Sequence, residues 1–193
     1  MNIFSIYGLF PGFRAKRFEQ FLEINKPSKS DKFLDVCGYP RTWTIHEPHI
    51  GSIDCLNIHE IPYDSTPHPE HHIKTVVGNG CALTYEDQSY DTVYSNSVIE
   101  HLHTWENQIA FASEMRRVGR KLWIQTPAQE FFIEPHYITP FIHWVPKKLR
   151  AKMLRYFTVW GYVSKPTRQK AQSMVDEIRL LNYREMKELF PDC

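Results

Sequence analysis

Apolar residues in this chain fall into short continuous runs separated by polar and proline-rich passages. The runs KFLDVCG (32–38), GSIDCLNI (51–58), IKTVV (73–77), YDTVY (90–94) and KLWIQTP (121–127) predict five strands. The first is apolar almost throughout, as in a strand buried on both faces. In the second, Ile53, Cys55 and Asn57 alternate with Asp54, Leu56 and Ile58. Elsewhere the period lengthens. Phe18, Phe21 and Leu22 share one side of a short helix that Pro27 closes off. Thr104 caps another helix, where Trp105, Ile109, Ala112 and Met115 recur at helical spacing and Glu106 sits at the positive end. PKKLRAKMLRYF (146–157) starts a helix on proline, and Asn182 with Glu185 has the spacing of a capping box. Strands alternating with helices predict an α/β domain, Rossmann-like, with a mostly parallel sheet of five strands and flanking helices.

The length of 193 residues suits one domain with a real core, and 42% hydrophobic with 14% aromatic residues suits a packed globule. A formal charge of +1 supplies no general attraction to nucleic acid or to an anionic membrane. The basic cluster Lys147, Lys148, Arg150 and Lys152 is local and reads as the solvated face of a helix. Cys37, Cys55, Cys81 and Cys193 follow no metal or disulfide spacing, so reduced thiols are expected. The apolar N-terminal stretch has no basic residue before it and no small-residue cleavage site after it, and no run is long enough to span a bilayer. A soluble, cytoplasmic chain is expected.

The chemistry gathers at the strand ends. In an open parallel sheet, ligands bind outside the carboxyl ends of the strands, near the switch in strand order. There stand Asp35 and Gly38 after the first strand, Asn57 after the second, Asn79, Gly80 and Cys81 after the third, and Ser95, Asn96 and Ser97 after the fourth. Singly, each is ordinary turn chemistry. Four in succession point to one crevice.

With these residues in place the sequence resembles the class I S-adenosylmethionine-dependent methyltransferases, from about Arg14 to Phe190. FLDVCGYPRTW is similar to the family's first motif, SIDCLNI to its second strand, and VVGNGCALTYEDQSYDTVYSNSVIEHL to its third and fourth strands with their loop. The resemblance implies S-adenosyl-L-methionine as cofactor and methyl transfer to a small-molecule acceptor. It implies that Gly38 lets the backbone approach the methionine part, with Asp35 near its ammonium group. Asn57 would accept from the ribose, with Asp54 the rival. Asn79 and Gly80 would lie at the adenine, the Cys81 backbone N–H would serve the ring nitrogen, and Ser95 and Asn96 would line the methionine end. Cys37 stands where the family commonly has glycine, and Tyr39-Pro40 replaces small residues. The resemblance also implies residues 1–130 as cofactor-binding core and 131–193 as acceptor-side loop and C-terminal helices. The chain stops before the usual C-terminal antiparallel pair, which would leave the fifth strand as an edge open to a second copy.

Methyl transfer from a sulfonium needs alignment more than acid–base help. His101 and His136 are the candidates to take a proton from an acceptor, with Glu100, Glu134, Tyr137, His143 and Trp144 nearby in sequence order. The cluster His68, Glu70, His71 and His72 lacks helical metal spacing, and no metal site is expected. Two alternatives remain: a catalytically inactive module of the same fold that binds a partner, and a nicotinamide-dependent oxidoreductase, the latter weakened by the absence of G-x-G-x-x-G.

Overall fold

The computed structural model describes residues 11–46 and 50–193, with backbone alone for 11–15. The apolar stretch at residues 1–10, on which the expectation of no leader rests, lies outside the described residues. After helix α1 (Pro11–Asn25) come β1 (Lys32–Val36), the short α2 (Arg41–Thr44), β2 (Ser52–Asn57), β3 (Ile73–Val77), β4 (Tyr90–Asn96), α3 (Trp105–Val118) and β5 (Gly119–Gln125). The five strands form one sheet in the order β3-β2-β1-β4-β5, every pairing parallel. The order reverses between β1 and β4, which places the switch beside the turn after β1.

Alternation along β1 shows why both faces had to be apolar. Phe33 packs with Phe18 and Phe21 of α1, and Leu34 and Val36 pack with Phe111 and Met115 of α3 on the other side. On α3 the inward stripe is Gln108, Phe111, Ala112, Met115 and Val118. Ile109, expected in the core, is 45% exposed; the buried face runs one residue to its side, through Gln108. Strand β4 runs two residues further than expected, because Ser95 and Asn96 continue the ladder opposite Ile124 and Gln125.

Beyond β5 the chain forms a separate ribbon of two short strands, β6 (Ile133–Glu134) antiparallel to β7 (Thr139–Pro140). This pair does not join the main sheet. Helices α4 (Lys147–Phe157), α5 (Val159–Ser164) and α6 (Arg168–Glu177) enclose a third core of Tyr137, Leu154, Trp160 and Val175. Helix α7 (Tyr183–Leu189), with the capping box of Asn182 and Glu185 formed as expected, returns Leu189 and Phe190 to the α3 side of the sheet. The Gln129 N–H donates to the Leu181 carbonyl at 2.9 Å, pairing the segment before α7 with the loop that follows β5. A groove of about 530 Å³ follows that edge along Leu122–Gln125, away from the carboxyl end of β1. Among the described residues no helix is long and apolar enough to cross a membrane, and all four cysteines are free.

Candidate functional site

The turn after β1 is held by four contacts. Cys37 has φ +60°, the left-handed region that favours glycine, so the glycine-like conformation persists without the glycine. Its N–H donates to the Leu56 carbonyl at 2.7 Å, and Asn57 Nδ2 donates to the Gly38 carbonyl at 2.8 Å, joining the ends of β1 and β2. A Cβ on residue 38 would fall 1.7 Å from Asp35 Oδ2, so only glycine fits there. Trp43, buried on α2, donates its indole N–H to that same oxygen at 2.7 Å. Burial pushes the Asp35 carboxyl up to about 7, against the opposing pull of the Trp43 hydrogen bond. Its carboxylate is 1% exposed and engaged inside the protein, with Gly38 packed over it.

The next strand ends divide between open and spent groups. Asp54 lies mid-strand and buried, accepting from the Tyr90 hydroxyl at 2.6 Å and facing Lys74 Nζ at 3.4 Å. That removes it as Asn57's rival, because its oxygens are turned into the sheet. Asn57 is half-buried at the end of β2 and spends its amide N–H on Gly38, which leaves its amide oxygen to accept. After β3, Asn79 Oδ1 accepts from the Cys81 N–H at 2.9 Å. The Cys81 N–H, expected at the adenine ring, is held by the Asn79 side chain here. A Cβ on Gly80 would meet Val36 Cγ1 at 3.0 Å and Phe111 at 3.1 Å, so this loop lies directly on the end of β1 and on α3. Ser95, 1% exposed, approaches the Val36 carbonyl at 3.4 Å, and Asn96 is exposed with its amide oxygen accepting from Ser97 Oγ.

His101 and His136, 35 residues apart, are brought together: their Nε2 atoms stand 3.2 Å apart. His101 closes a 3-10 turn after β4, and His136 follows β6. His136 Nδ1 is 2.6 Å from Glu134 Oε1, whose other oxygen accepts from the Tyr137 N–H at 2.8 Å. His101 Nδ1 lies 3.4 Å from Glu177 Oε1 at the end of α6. Glu100 is fully buried; Oε2 accepts from Thr126 Oγ1 at 2.9 Å, while Oε1 has no hydrogen-bond partner and lies 3.9 Å from His136 Nε2. Burial opposes charge on His136, but the Glu134 hydrogen bond and the carboxylates of Glu134, Glu100 and Glu177 outweigh it and the net direction is upward. His101 moves down through burial and then through its neighbour His136, and Glu100 moves up through burial. The rings face each other through Nε2, and each has a carboxylate oxygen near Nδ1, hydrogen-bonded in His136 and at 3.4 Å without a hydrogen bond in His101.

Several positioning residues escaped the sequence reading. Gln108, fully buried, donates to the carbonyls of Ile99 and Arg179 at 2.8 and 3.0 Å and accepts from Arg179 Nη1 at 2.6 Å. The Arg179 N–H in turn donates to the Glu100 carbonyl at 2.8 Å. Glu177, Thr126 and Trp43 were missed for the same reason: each meets its partner only through the fold.

The sheet order is that of a class I methyltransferase-type fold, and comparison with known proteins agrees in fold. Residues 51–122 match the family model described as a methyltransferase domain. The YcgJ protein of Bacillus subtilis superimposes with a TM-score of 0.59 at 12% identity, covering 90% of this chain and 65% of its own. A Bacillus halodurans protein with a methyltransferase assignment gives a TM-score of 0.55 at 13% identity, covering 90% of this chain and 66% of its own. This chain thus spans slightly less than two thirds of either relative. No curated protein matches it. In fold, and in sequence over the matched segment, the chain resembles the class I S-adenosylmethionine-dependent methyltransferases.

Proposed function

We propose that the chain binds S-adenosylmethionine across the ends of β1, β2 and β3 and transfers its methyl group to a small-molecule acceptor held under the helices that follow β5. The observation that carries this reading is the union of strand ends at the switch point, where Asn57 Nδ2 donates to the Gly38 carbonyl at 2.8 Å and the 79–82 loop rests on Val36 through Gly80. The residues suit the adenosyl half: Asn57 retains an amide oxygen for a ribose hydroxyl, Asn79 retains its amide N–H₂, and Ser95 and Asn96 close the crevice on the β4 side. They suit the ammonium end less, because Asp35 is sealed beneath Gly38. Bound there, the sulfonium would supply an activated methyl group, and the protein's work is alignment and exclusion of water. Residues 1–130 would carry the cofactor and 131–193 the acceptor side, with α7 returning to the sheet. His101 and His136 would orient the acceptor.

Titration calorimetry with S-adenosylmethionine and S-adenosylhomocysteine tests the reading. The wild type should release heat with both, and Asn57→Ala should bind about tenfold more weakly, the loss of roughly one hydrogen bond's worth of free energy. Folded wild-type protein that gives no heat with either ligand overturns it.

A further inference from the structure

Glu100, His101 and His136 bring three donor atoms to one place. A carboxylate beside the Nδ1 atom of a histidine keeps the proton there and turns an Nε2 lone pair outward. His136 Nδ1 is hydrogen-bonded to Glu134 at 2.6 Å, while His101 Nδ1 has Glu177 Oε1 at 3.4 Å, an ion-pair contact without a hydrogen bond. The two Nε2 atoms stand 3.2 Å apart, and the bare Glu100 Oε1 lies 3.9 Å from that of His136. Three carboxylates surround two imidazoles. A bound cation between them would pair both ring nitrogens and the bare Glu100 oxygen at once.

We propose that Glu100 Oε1, His101 Nε2 and His136 Nε2 bind a divalent transition ion of the zinc class. These donor atoms all lie within 4.8 Å of one another. Donors about 2.0–2.1 Å from a tetrahedral zinc stand about 3.3 Å apart, so the imidazole pair is already spaced for the ion and Glu100 needs only a small inward rotation. Glu134 and Glu177 take the part of the carboxylates that orient histidine ligands from behind, and Thr126 holds the second oxygen of Glu100. Three protein donors leave a fourth tetrahedral position for an oxygen ligand. The side chain of His101, 34% exposed, gives the ion a way in. A second group, His68, Glu70 and His71, also brings three donors together, but Glu70 is 48% exposed and no carboxylate stands behind its rings other than Glu70 itself.

Titrating the full-length protein with Co²⁺, without cofactor, separates this proposal from methyl transfer, because the visible ligand-field spectrum needs no turnover. One equivalent should give a four- or five-coordinate spectrum that Zn²⁺ abolishes. Glu100→Gln and His101→Asn should each weaken binding at least about 100-fold, and Glu134→Gln about tenfold. Glu70→Gln should leave the spectrum unchanged. The His101 site is partly exposed, so His101→Asn keeps the test usable if Glu100→Gln does not fold. No spectrum from folded wild type means that a single shared proton settles the histidine pair, and the proposal falls. It falls equally if Glu70→Gln abolishes the spectrum while Glu100→Gln keeps it.

Discussion

The turn after β1 and the cluster of Glu100, His101 and His136 after β4 satisfy their polar groups in opposite ways. At the turn three donors meet acceptors: the Trp43 indole meets Asp35, the Asn57 amide meets the Gly38 carbonyl, and the Cys37 N–H meets Leu56. In the cluster, two ring nitrogens face each other and a buried carboxylate oxygen has no hydrogen-bond partner. Unpaired polar groups in a buried site cost stability. A closed network is explained by holding shape; an open one calls for a ligand.

That contrast breaks most visibly if Asp35 is not sealed. Its folded pKa of about 7 lies above the ordinary 3.8. Between those two values the folded state keeps a proton that the unfolded chain has released, so the Asp35 contribution to stability falls as pH rises from about 4 to 7 and levels off above. The full drop amounts to at most about 4 kcal/mol, at about 1.4 kcal/mol per pH unit. Asp35→Asn cannot ionise and should lose this slope. Urea midpoints at pH 5 and pH 8 for both proteins measure it, and parallel behaviour of the two would show Asp35 to be solvated.

A second perturbation acts on the cluster side. Gln108 makes three hydrogen bonds that anchor the 179 segment behind Glu100. Gln108→Leu keeps the volume but leaves two carbonyls and the Arg179 guanidinium short of a partner, a loss of about 3 kcal/mol. Amide exchange should accelerate in residues 168–182 and around 99–101, while β1 and β2 stay protected. Uniform acceleration across the sheet would mean that the two regions are one cooperative unit and that the contrast is only of geometry.

The same division decides what could be read from sequence. Strand positions, the Thr104 cap and the capping box of Asn182 and Glu185 depend on neighbours within a few residues, and the structure has them. The five strands expected from the apolar runs are all present in one parallel sheet, and two solved structures of like fold cover 90% of the chain. Asn57 was placed at the end of its strand correctly because alternation put Asp54 inside. The partner of Asp35 was not legible, since Trp43 reaches it only because Pro40 starts a single helical turn that folds the indole beneath the sheet's end. Ile109 misled because helical spacing fixes a stripe only to within one residue, and a buried Gln108 with three partners outcompeted an isoleucine for the inward position. The meeting of Glu100, His101, His136 and Glu177 joins segments up to 77 residues apart in sequence, and no local pattern announces such a contact.

The smallest effect concerns the glycine that the first motif lacks. Cys37 keeps φ +60°, so the turn has retained the glycine conformation and given it to a side chain that packs against the core on the α3 side. Comparing Cys37→Gly with wild type would mix three changes: relief of backbone strain, loss of the thiol's contacts, and a more flexible unfolded chain. Cys37→Ala supplies the missing reference, because it loses the same contacts and keeps the strain. Left-handed backbone costs a residue with a Cβ about 1 kcal/mol or more, while the unfolded-state penalty of glycine is somewhat less than that. Cys37→Gly should therefore be the more stable of the two variants by a few tenths to about 1 kcal/mol in urea unfolding. An alanine variant as stable as the glycine one would show that the turn relaxes out of the left-handed region, and with it the anchoring of Gly38 by Asn57 that ties the first two strand ends together.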